Sequence, residues 1–390
     1  MTGGRRIAVV TTSRADYGIL RPLLRRLDKD PACDLRIIAG GMHLSPRHGN
    51  TIDEIIGDGF APAARVDLLT GDDSPLGTAR SMARGVEGFA AAFADLAPDL
   101  VVVLGDRFEV LAAVVAAQPL RLPVAHLHGG ELTLGALDDA FRHAITKMSH
   151  LHFAAAEPYA RRLRQMGEEE WRVIVSGAPG LDNLRGLDPL DDASLANRVG
   201  LPLDPAPLLV TYHPATREPA SVAAQVAELL AALDGAGRPM VFTAPNADPG
   251  GEVVRRAALA FVAGRRDAVM CPHLGTRAYF SLMARAAAMV GNSSSGLIEA
   301  PSFQLPVVNV GRREAGRLRA ANVIDVAEDR AAIKAGIAKA LDPAFRAGLA
   351  GLVNPLAADR PAADTIAERL LSVPLDDRLL DKGFVDLPAV

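Results

Sequence analysis

The sequence predicts an α/β protein of two doubly wound, Rossmann-like domains. Three observations predict it. Short apolar runs rich in Val, Ile and Leu recur along the 390 residues, with helically spaced segments between them. The runs end in Gly, Asp, His or Thr, as strands buried on both faces of a parallel sheet do. The alternation is played out twice, on either side of an Asp-, Pro- and Leu-rich stretch at 181–207.

In the first half the strand candidates are IAVVTT (7–12), LRIIAGG (35–41), LVVVLGD (100–106), PVAHLHGG (123–130), LHFAAAE (151–157) and VIVSGAP (173–179). ILRPLLRRLDKD and FEVLAAVVAAQPLRL, between them, carry helical spacing. The second half offers LLVTYHP (208–214), MVFTAPN (240–246), AVMCPHL (268–274), AAMVGNS (287–293), PVVNVG (306–311) and NVIDV (322–326). The stretch at 181–207 reads as a helix plus linker, and ADTIAERLLS opens a helical tail. The expected division is a first domain over 1–182, a second over 183–365, and a tail over 366–390 packing back on the first.

Composition narrows the class. The chain is 49% hydrophobic and 23% charged, ordinary for a globular protein. No apolar run approaches the roughly eighteen residues of a membrane span. The start, MTGGRRIAVVTTSRAD, reads as a buried first strand and not as a signal peptide. A net charge of −4 argues against a nucleic-acid partner. Cys33 and Cys271 lie far apart without metal-ligand spacing, so neither a disulfide nor a metal site is expected, and the cytoplasm is the default compartment.

The richest stretch runs from Asp106 to Asp139, with Arg142 and His143 just beyond it. Asp106, Arg107, Glu109, His126, His128, Glu131, Asp138, Asp139, Arg142 and His143 all fall in or after strand ends. In a parallel sheet that is the carboxyl edge, where ligands bind. Groups that give and take protons, collected there, point to acid–base chemistry on a polar substrate. Carboxylates so close should push one another's pKa values apart, making an acid and a base available together.

Other strand ends supply binding candidates. In TTSRADYG (11–18) a helix is expected to start near Asp16 or Tyr17, with Arg14 adding a positive fork for a phosphate. GMHLSPRHGNTIDEI brings His43 and, more weakly, His48 to the same edge. YHPATRE offers His213 beside Pro214, and FTAPNADPGG offers Asn246 for a sugar or base. In GNSSSGLIEAPSF a strand runs into Ser293, Ser294 and Ser295 before a helix expected from about Leu297. Hydroxyls and backbone N–H groups there would cradle phosphates, and Glu299 in the first turn would accept from a ribose diol. A serine helix cap explains one of these serines, not three. Arg312, Arg313 and Arg317 follow at the same edge. There is no GxGxxG after a strand and no GxxxxGK[ST], so neither a dinucleotide cofactor nor a P-loop is supported.

SRADYG, GMHLSPRHGNT, GDRFE, HGGELTLGALDDAFRHAITK, YHPAT, GNSSSGLIEAPSF and VNVGRREAGR, in this order, resemble the hydrolysing UDP-N-acetylglucosamine 2-epimerases of the sialic- and legionaminic-acid pathways. The resemblance spans nearly the whole chain. It implies the GT-B fold with the nucleotide sugar in the interdomain cleft, no metal or redox cofactor, and a homodimer or homotetramer. It implies loss of the C2 proton and expulsion of UDP to give 2-acetamidoglucal, then rehydration to N-acetylmannosamine. By position it makes Asp106, Glu131 and Asp139 the catalytic carboxylates, with Arg107, His43 and Arg142 as further candidates. It places Arg14, Asp16, His213, Asn246, Ser293, Ser294, Ser295, Glu299 and Arg313 around the nucleotide. LTLGALDD and Ile298 depart from other members and leave open a 2,4-diacetamido sugar (diacetylbacillosamine) on UDP or GDP. The competing class is a GT-B glycosyltransferase, which needs an acceptor and no carboxylate cluster. A non-enzymatic sugar-nucleotide sensor would bind without turnover.

Overall fold

A computed structural model describes residues 4–134, 136–214, 222–245, 250–272 and 274–386. The chain forms two compact units. The first comprises 1–131, 138–183 and 356–390, the second 132–137 and 184–355.

The first unit holds β1 (Arg5–Thr11), β2 (Cys33–Gly40), β3 (Ala64–Val66), β4 (Leu100–Leu104), β5 (Val124–Leu127), β6 (Leu151–Ala154) and β7 (Val173–Val175). They pair in parallel in the order β3-β2-β1-β4-β5-β6-β7. The second unit holds β8 (Leu208–Thr211), β9 (Met240–Phe242), β10 (Ala268–Met270), β11 (Ala288–Gly291), β12 (Val307–Val310) and β13 (Val323–Val326). These are also parallel, in the order β10-β9-β8-β11-β12-β13. Both orders reverse beside their unit's first strand, as in doubly wound sheets. Each apolar run singled out in the sequence contains a strand. The extra one, β3, is three residues at the sheet edge, too short for a periodic signal.

Continuous apolarity in the strands follows from burial on both faces. In β1, Ile7 and Val9 pack toward one core with Leu20, Leu24, Ile366 and Leu370. Ala8 and Val10 pack toward the other with Phe89, Phe93 and Val114. The helix Ala362–Ser372 lies against the helix Arg14–Asp28, so the chain has returned to the first unit by Leu356.

Pro22 sits inside the helix Arg14–Asp28 and cannot donate to the carbonyl of Gly18. The side chain of Asn183 supplies the missing donor, its Nδ2 lying 2.8 Å from Gly18 O.

The C-terminal segment is tied down by buried charges. Arg172, fully buried, donates to the carbonyls of Leu379 (2.8 Å) and Arg378 (2.7 Å). Lys382 donates to Ser149 O (2.7 Å) and Thr146 O (3.1 Å), where the helix Asp138–Met148 ends. Lys382 also meets the buried carboxylate of Glu168, which accepts from Lys147 (2.7 Å) and His152 Nε2 (2.8 Å). Burial alone would raise the Glu168 pKa. The hydrogen bond from His152 and the charges of Lys147 and Lys382 outweigh it and hold the group at about 2.

A folded-state pKa below the ordinary value of 4.5 means stability that is complete above that value and lost as pH falls toward about 2. Melting curves from pH 6 to pH 2.5 should show this loss in the parent protein. Glu168→Gln should be less stable at pH 6 and flatter below pH 5. Parallel curves would remove Glu168 from the acid transition.

Candidate functional site

Ligands of doubly wound sheets bind beyond the strand carboxyl ends, where the strand order reverses. In the first unit the reversal lies between β1 and β4, and Asp106 and Arg107 follow β4 directly. Arg142, fully buried on the helix Asp138–Met148, forms an ion pair with Asp106. Its other nitrogen donates to His128 O (2.7 Å) and lies 3.9 Å from Glu131 Oε2. His128 Nδ1 donates to Glu131 Oε1 at 2.5 Å. Two carboxylates, an arginine and an imidazole thus form one network at the ends of β4 and β5. The carboxylates are not a bare like-charged pair, because a fixed cation is bonded to one and close to the other. Asp139 lies one turn before Arg142 on the same helix, 4.0 Å from His143 Nε2 and with a side chain 13% exposed.

The loop carrying this network is conformationally demanding. His128 is a non-glycine residue at φ 61°. A Cβ at Gly130 would lie 2.4 Å from Tyr159 O, which explains a glycine there.

Other sequence-predicted residues turn inward. His43 is fully buried, with Nε2 2.9 Å from Thr11 Oγ1 and Nδ1 2.9 Å from Thr51 Oγ1. Burial pushes its pKa down. It braces the end of β1 and is no longer a candidate for proton transfer. Asp16 is spent on the helix start: its carboxylate accepts from Thr12 N (2.7 Å) and Ser13 Oγ, and Ser13 is the cap. The helix begins at Arg14, earlier than expected, so Arg14 lies in its first turn and Asp16 is structural. Arg107 forks onto the fully buried Glu109 through Nε (3.2 Å) and Nη2 (2.9 Å). Burial raises the Glu109 pKa, against the pull of Arg107. His126 donates through Nε2 to Gly105 O (2.7 Å), and burial drives its pKa down to about 3, so it is a neutral structural residue.

In the second unit the reversal lies between β8 and β11. Their ends are bridged by Asn292, whose Oδ1 accepts from His213 N (2.7 Å) and whose Nδ2 donates to His213 O (2.9 Å). Arg313 donates to Asn292 O (3.1 Å) and pairs with the buried Glu314. Glu314 also meets Arg317 Nε at 3.0 Å. Arg313 is thereby aimed by two anchors.

The serine cradle differs from expectation. The helical turn is only Ser295–Ile298, and Glu299 closes it instead of lying in its first turn. The N–H groups of Gly296 and Leu297 already donate to Ser293 O (3.0 Å) and Ser294 O (2.9 Å). Those two N–H groups are therefore engaged, while Ser295 Oγ is buried with no hydrogen-bond partner among the described residues. Asn246 lies outside the described residues. Among the described residues no cluster of His, Cys, Asp or Glu could hold a metal ion, and no helix is long and apolar enough to cross a membrane.

Residues 25–371, from within the helix Arg14–Asp28 to the end of the helix Ala362–Ser372, match the family described as UDP-N-acetylglucosamine 2-epimerase. The chain belongs to this epimerase family. It is 39% identical over 323 residues to the GDP/UDP-N,N'-diacetylbacillosamine 2-epimerase (hydrolyzing) of Campylobacter jejuni, covering 82% of this chain and 84% of the relative. It is 37% identical over 381 residues to the UDP-N,N'-diacetylbacillosamine 2-epimerase (hydrolyzing) of Legionella pneumophila, covering 97% and 98%. The crystal structure of UDP-GlcNAc 2-epimerase from Neisseria meningitidis bound to UDP-GlcNAc superposes with a TM-score of 0.79 at 18% identity, over 94% of this chain and 100% of that one. That likeness is one of fold, a GT-B-like fold with two Rossmann-like units.

Sequence reasoning misses two site-building residues of this epimerase-family chain, Asn292 and Glu314, and underrates His128. Asn292 and Glu314 lie inside the motifs GNSSSGLIEAPSF and VNVGRREAGR, but they act by aiming their neighbours. The one available signal is position: each directly follows a residue of a recognised motif at a strand end.

Proposed function

We propose that the protein is a hydrolysing 2-epimerase of a nucleoside-diphosphate 2-acetamido sugar. The observation that carries this is the Asp106–Arg142–Glu131–His128 network at the strand ends of the first unit, in a chain of the epimerase family. In the first step a base takes the C2 proton, C1=C2 forms, and the C1–O bond breaks with its electron pair leaving on the diphosphate. In the second, water adds its oxygen to C1 while a proton reaches C2 from the opposite face. The product is the free 2-epimer.

Asp106, Glu131 and Asp139 are the carboxylates of the acid–base centre, with Arg142 holding Asp106 in place. Ser293, Ser294, Ser295 and Arg313 hold the diphosphate, and Glu299 accepts from the ribose, with Arg14 and His213 beside the nucleotide. A guanidinium fork and hydroxyl donors stabilise the charge that builds on the leaving oxygen.

The names of the two relatives at 37–39% identity favour a 2,4-diacetamido sugar as substrate. The family description favours UDP-N-acetylglucosamine, giving N-acetylmannosamine, as the second reading. NMR of products from UDP-GlcNAc, UDP-diacetylbacillosamine and GDP-diacetylbacillosamine in D2O decides among them. The expected result is free 2-epimer with deuterium at C2 and free nucleoside diphosphate, with no acceptor present. Strict acceptor dependence would instead mark a glycosyltransferase, and return of the intact nucleotide-linked epimer would mark a non-hydrolysing enzyme.

A further inference from the structure

Glu131 is poorly placed to take a proton itself. Its Oε1 is held by His128 Nδ1, and its Oε2 lies 3.9 Å from the guanidinium of Arg142. The imidazole it holds is in a different position. An ionised carboxylate only accepts, so in the neutral imidazole of His128 the proton sits on Nδ1 and Nε2 carries the lone pair. That Nε2 is buried and has no hydrogen-bond partner among the described residues. Buried polar atoms are nearly always partnered, so an orphan at a ligand-binding edge calls for a reason.

The backbone of His128 is fixed from two sides. Its N–H donates to Phe153 O at 3.0 Å, and its carbonyl accepts from Arg142 at 2.7 Å. The residue is kept at φ 61°, where a side chain beyond glycine is uncommon. Local strain that sequence could relieve with glycine is retained here for an imidazole. His152 shows the same pairing with a glutamate and also has an unpartnered Nδ1, but it lies within β6, fully buried beside the C-terminal lock. His128 differs by standing past the end of β5 with Asp106, Glu131 and Arg142 around it, and Arg162 on the adjoining carbonyl of Gly130.

We propose that His128 Nε2, and not Glu131, is the base that takes the C2 proton, and that Glu131 is the residue that positions it. The inference rests on the epimerase reading above. As the C2–H bond breaks, the proton passes to Nε2, the C–H electron pair forms C1=C2, and the C1–O pair leaves on the diphosphate. The imidazolium that results is paired with Glu131, which both stabilises it and keeps the tautomer that presents Nε2. After the nucleotide has left, Nε2–H returns its proton to solvent. Asp106 and Asp139 remain for delivery of the second proton.

The test compares His128→Gly, Glu131→Gln and Glu131→Ala on the substrate that the parent protein turns over. Glycine suits the backbone at φ 61°, so His128→Gly keeps the loop while removing the ring. It should lower kcat by about 10²–10⁴-fold, leave UDP or GDP affinity within about twofold (as expected for a group acting only on C2), and regain rate with added imidazole. Glu131→Gln still accepts from Nδ1 and should lose less than His128→Gly, with Glu131→Ala losing more than Glu131→Gln. A larger loss in Glu131→Gln than in His128→Gly, or a His128→Gly enzyme of near-parental rate, overturns the proposal. Absence of rescue by imidazole in a folded, nucleotide-binding His128→Gly protein does the same. A parent protein inert on all three nucleotide sugars sinks the epimerase reading itself, which is a separate outcome.

Discussion

Asp106→Asn should abolish most turnover, lowering kcat by between about 10²- and 10⁴-fold, the range spanned by single acid–base groups. The change keeps size and shape but removes the charge that pairs with the buried Arg142. Two consequences follow from one substitution. The carboxylate is no longer available for proton transfer, and Arg142 loses its ion-paired anion while Glu131 stays 3.9 Å away. Loss of a charge partner for a buried guanidinium costs roughly 2 kcal/mol of stability when a neutral acceptor is left in place. Rates should therefore be taken well below the melting temperature of the variant. UDP or GDP binding, measured by calorimetry, should stay near the parental value because the proposed diphosphate cradle belongs to the other unit. A near-normal kcat in this variant would take Asp106 out of the chemistry.

Gly291→Ala should be the most damaging single methyl in the second unit. Gly291 pairs with Thr211 between β11 and β8, at φ 138°. An added Cβ would lie 1.8 Å from Thr211 O and 2.7 Å from Thr211 C, both backbone atoms that cannot step aside. The two strands must part, and they part immediately before His213 and Asn292, whose mutual hydrogen bonds close the reversal point. We expect destabilisation above about 4 kcal/mol, in the range reserved for such steric and backbone mechanisms, together with loss of nucleotide binding. Gly235→Ala separates the causes. That glycine has φ 125° but no heavy atom within 4 Å of a built Cβ, so it carries the backbone strain without the collision. It should cost only about 1–3 kcal/mol and leave nucleotide binding intact. Equal losses in the two variants, read from urea unfolding, would show that close approach of β8 and β11 is not what requires Gly291.

Particular residues show why the site was only partly legible beforehand. Asp106, Glu131 and Arg142 are visible because charged residues after apolar strands are costly unless used, and the strand ends were clear. His43 was legible as a strand-end histidine, yet nothing local says that Thr11 and Thr51 enclose it from both sides. Asp16 looks the same in sequence whether it faces a ligand or closes a helix cap, and the geometry chooses the cap. The serine run advertised a phosphate site. The folded chain makes the helical turn only Ser295–Ile298, with the N–H groups of Gly296 and Leu297 already engaged.

By itself the sequence determined the two doubly wound sheets, the strand ends that matter, and the epimerase family, because strand burial and motif order are local properties written in residue type. The tertiary structure decided which titratable groups are engaged with one another. It interposed Arg142 between Asp106 and Glu131, turned His128 toward Glu131, and withdrew His43 and Asp16 into the framework. Those outcomes depend on distances between residues far apart in the chain. A charge or a hydrogen bond acts over a few ångströms, and only the folded backbone sets which groups come that close.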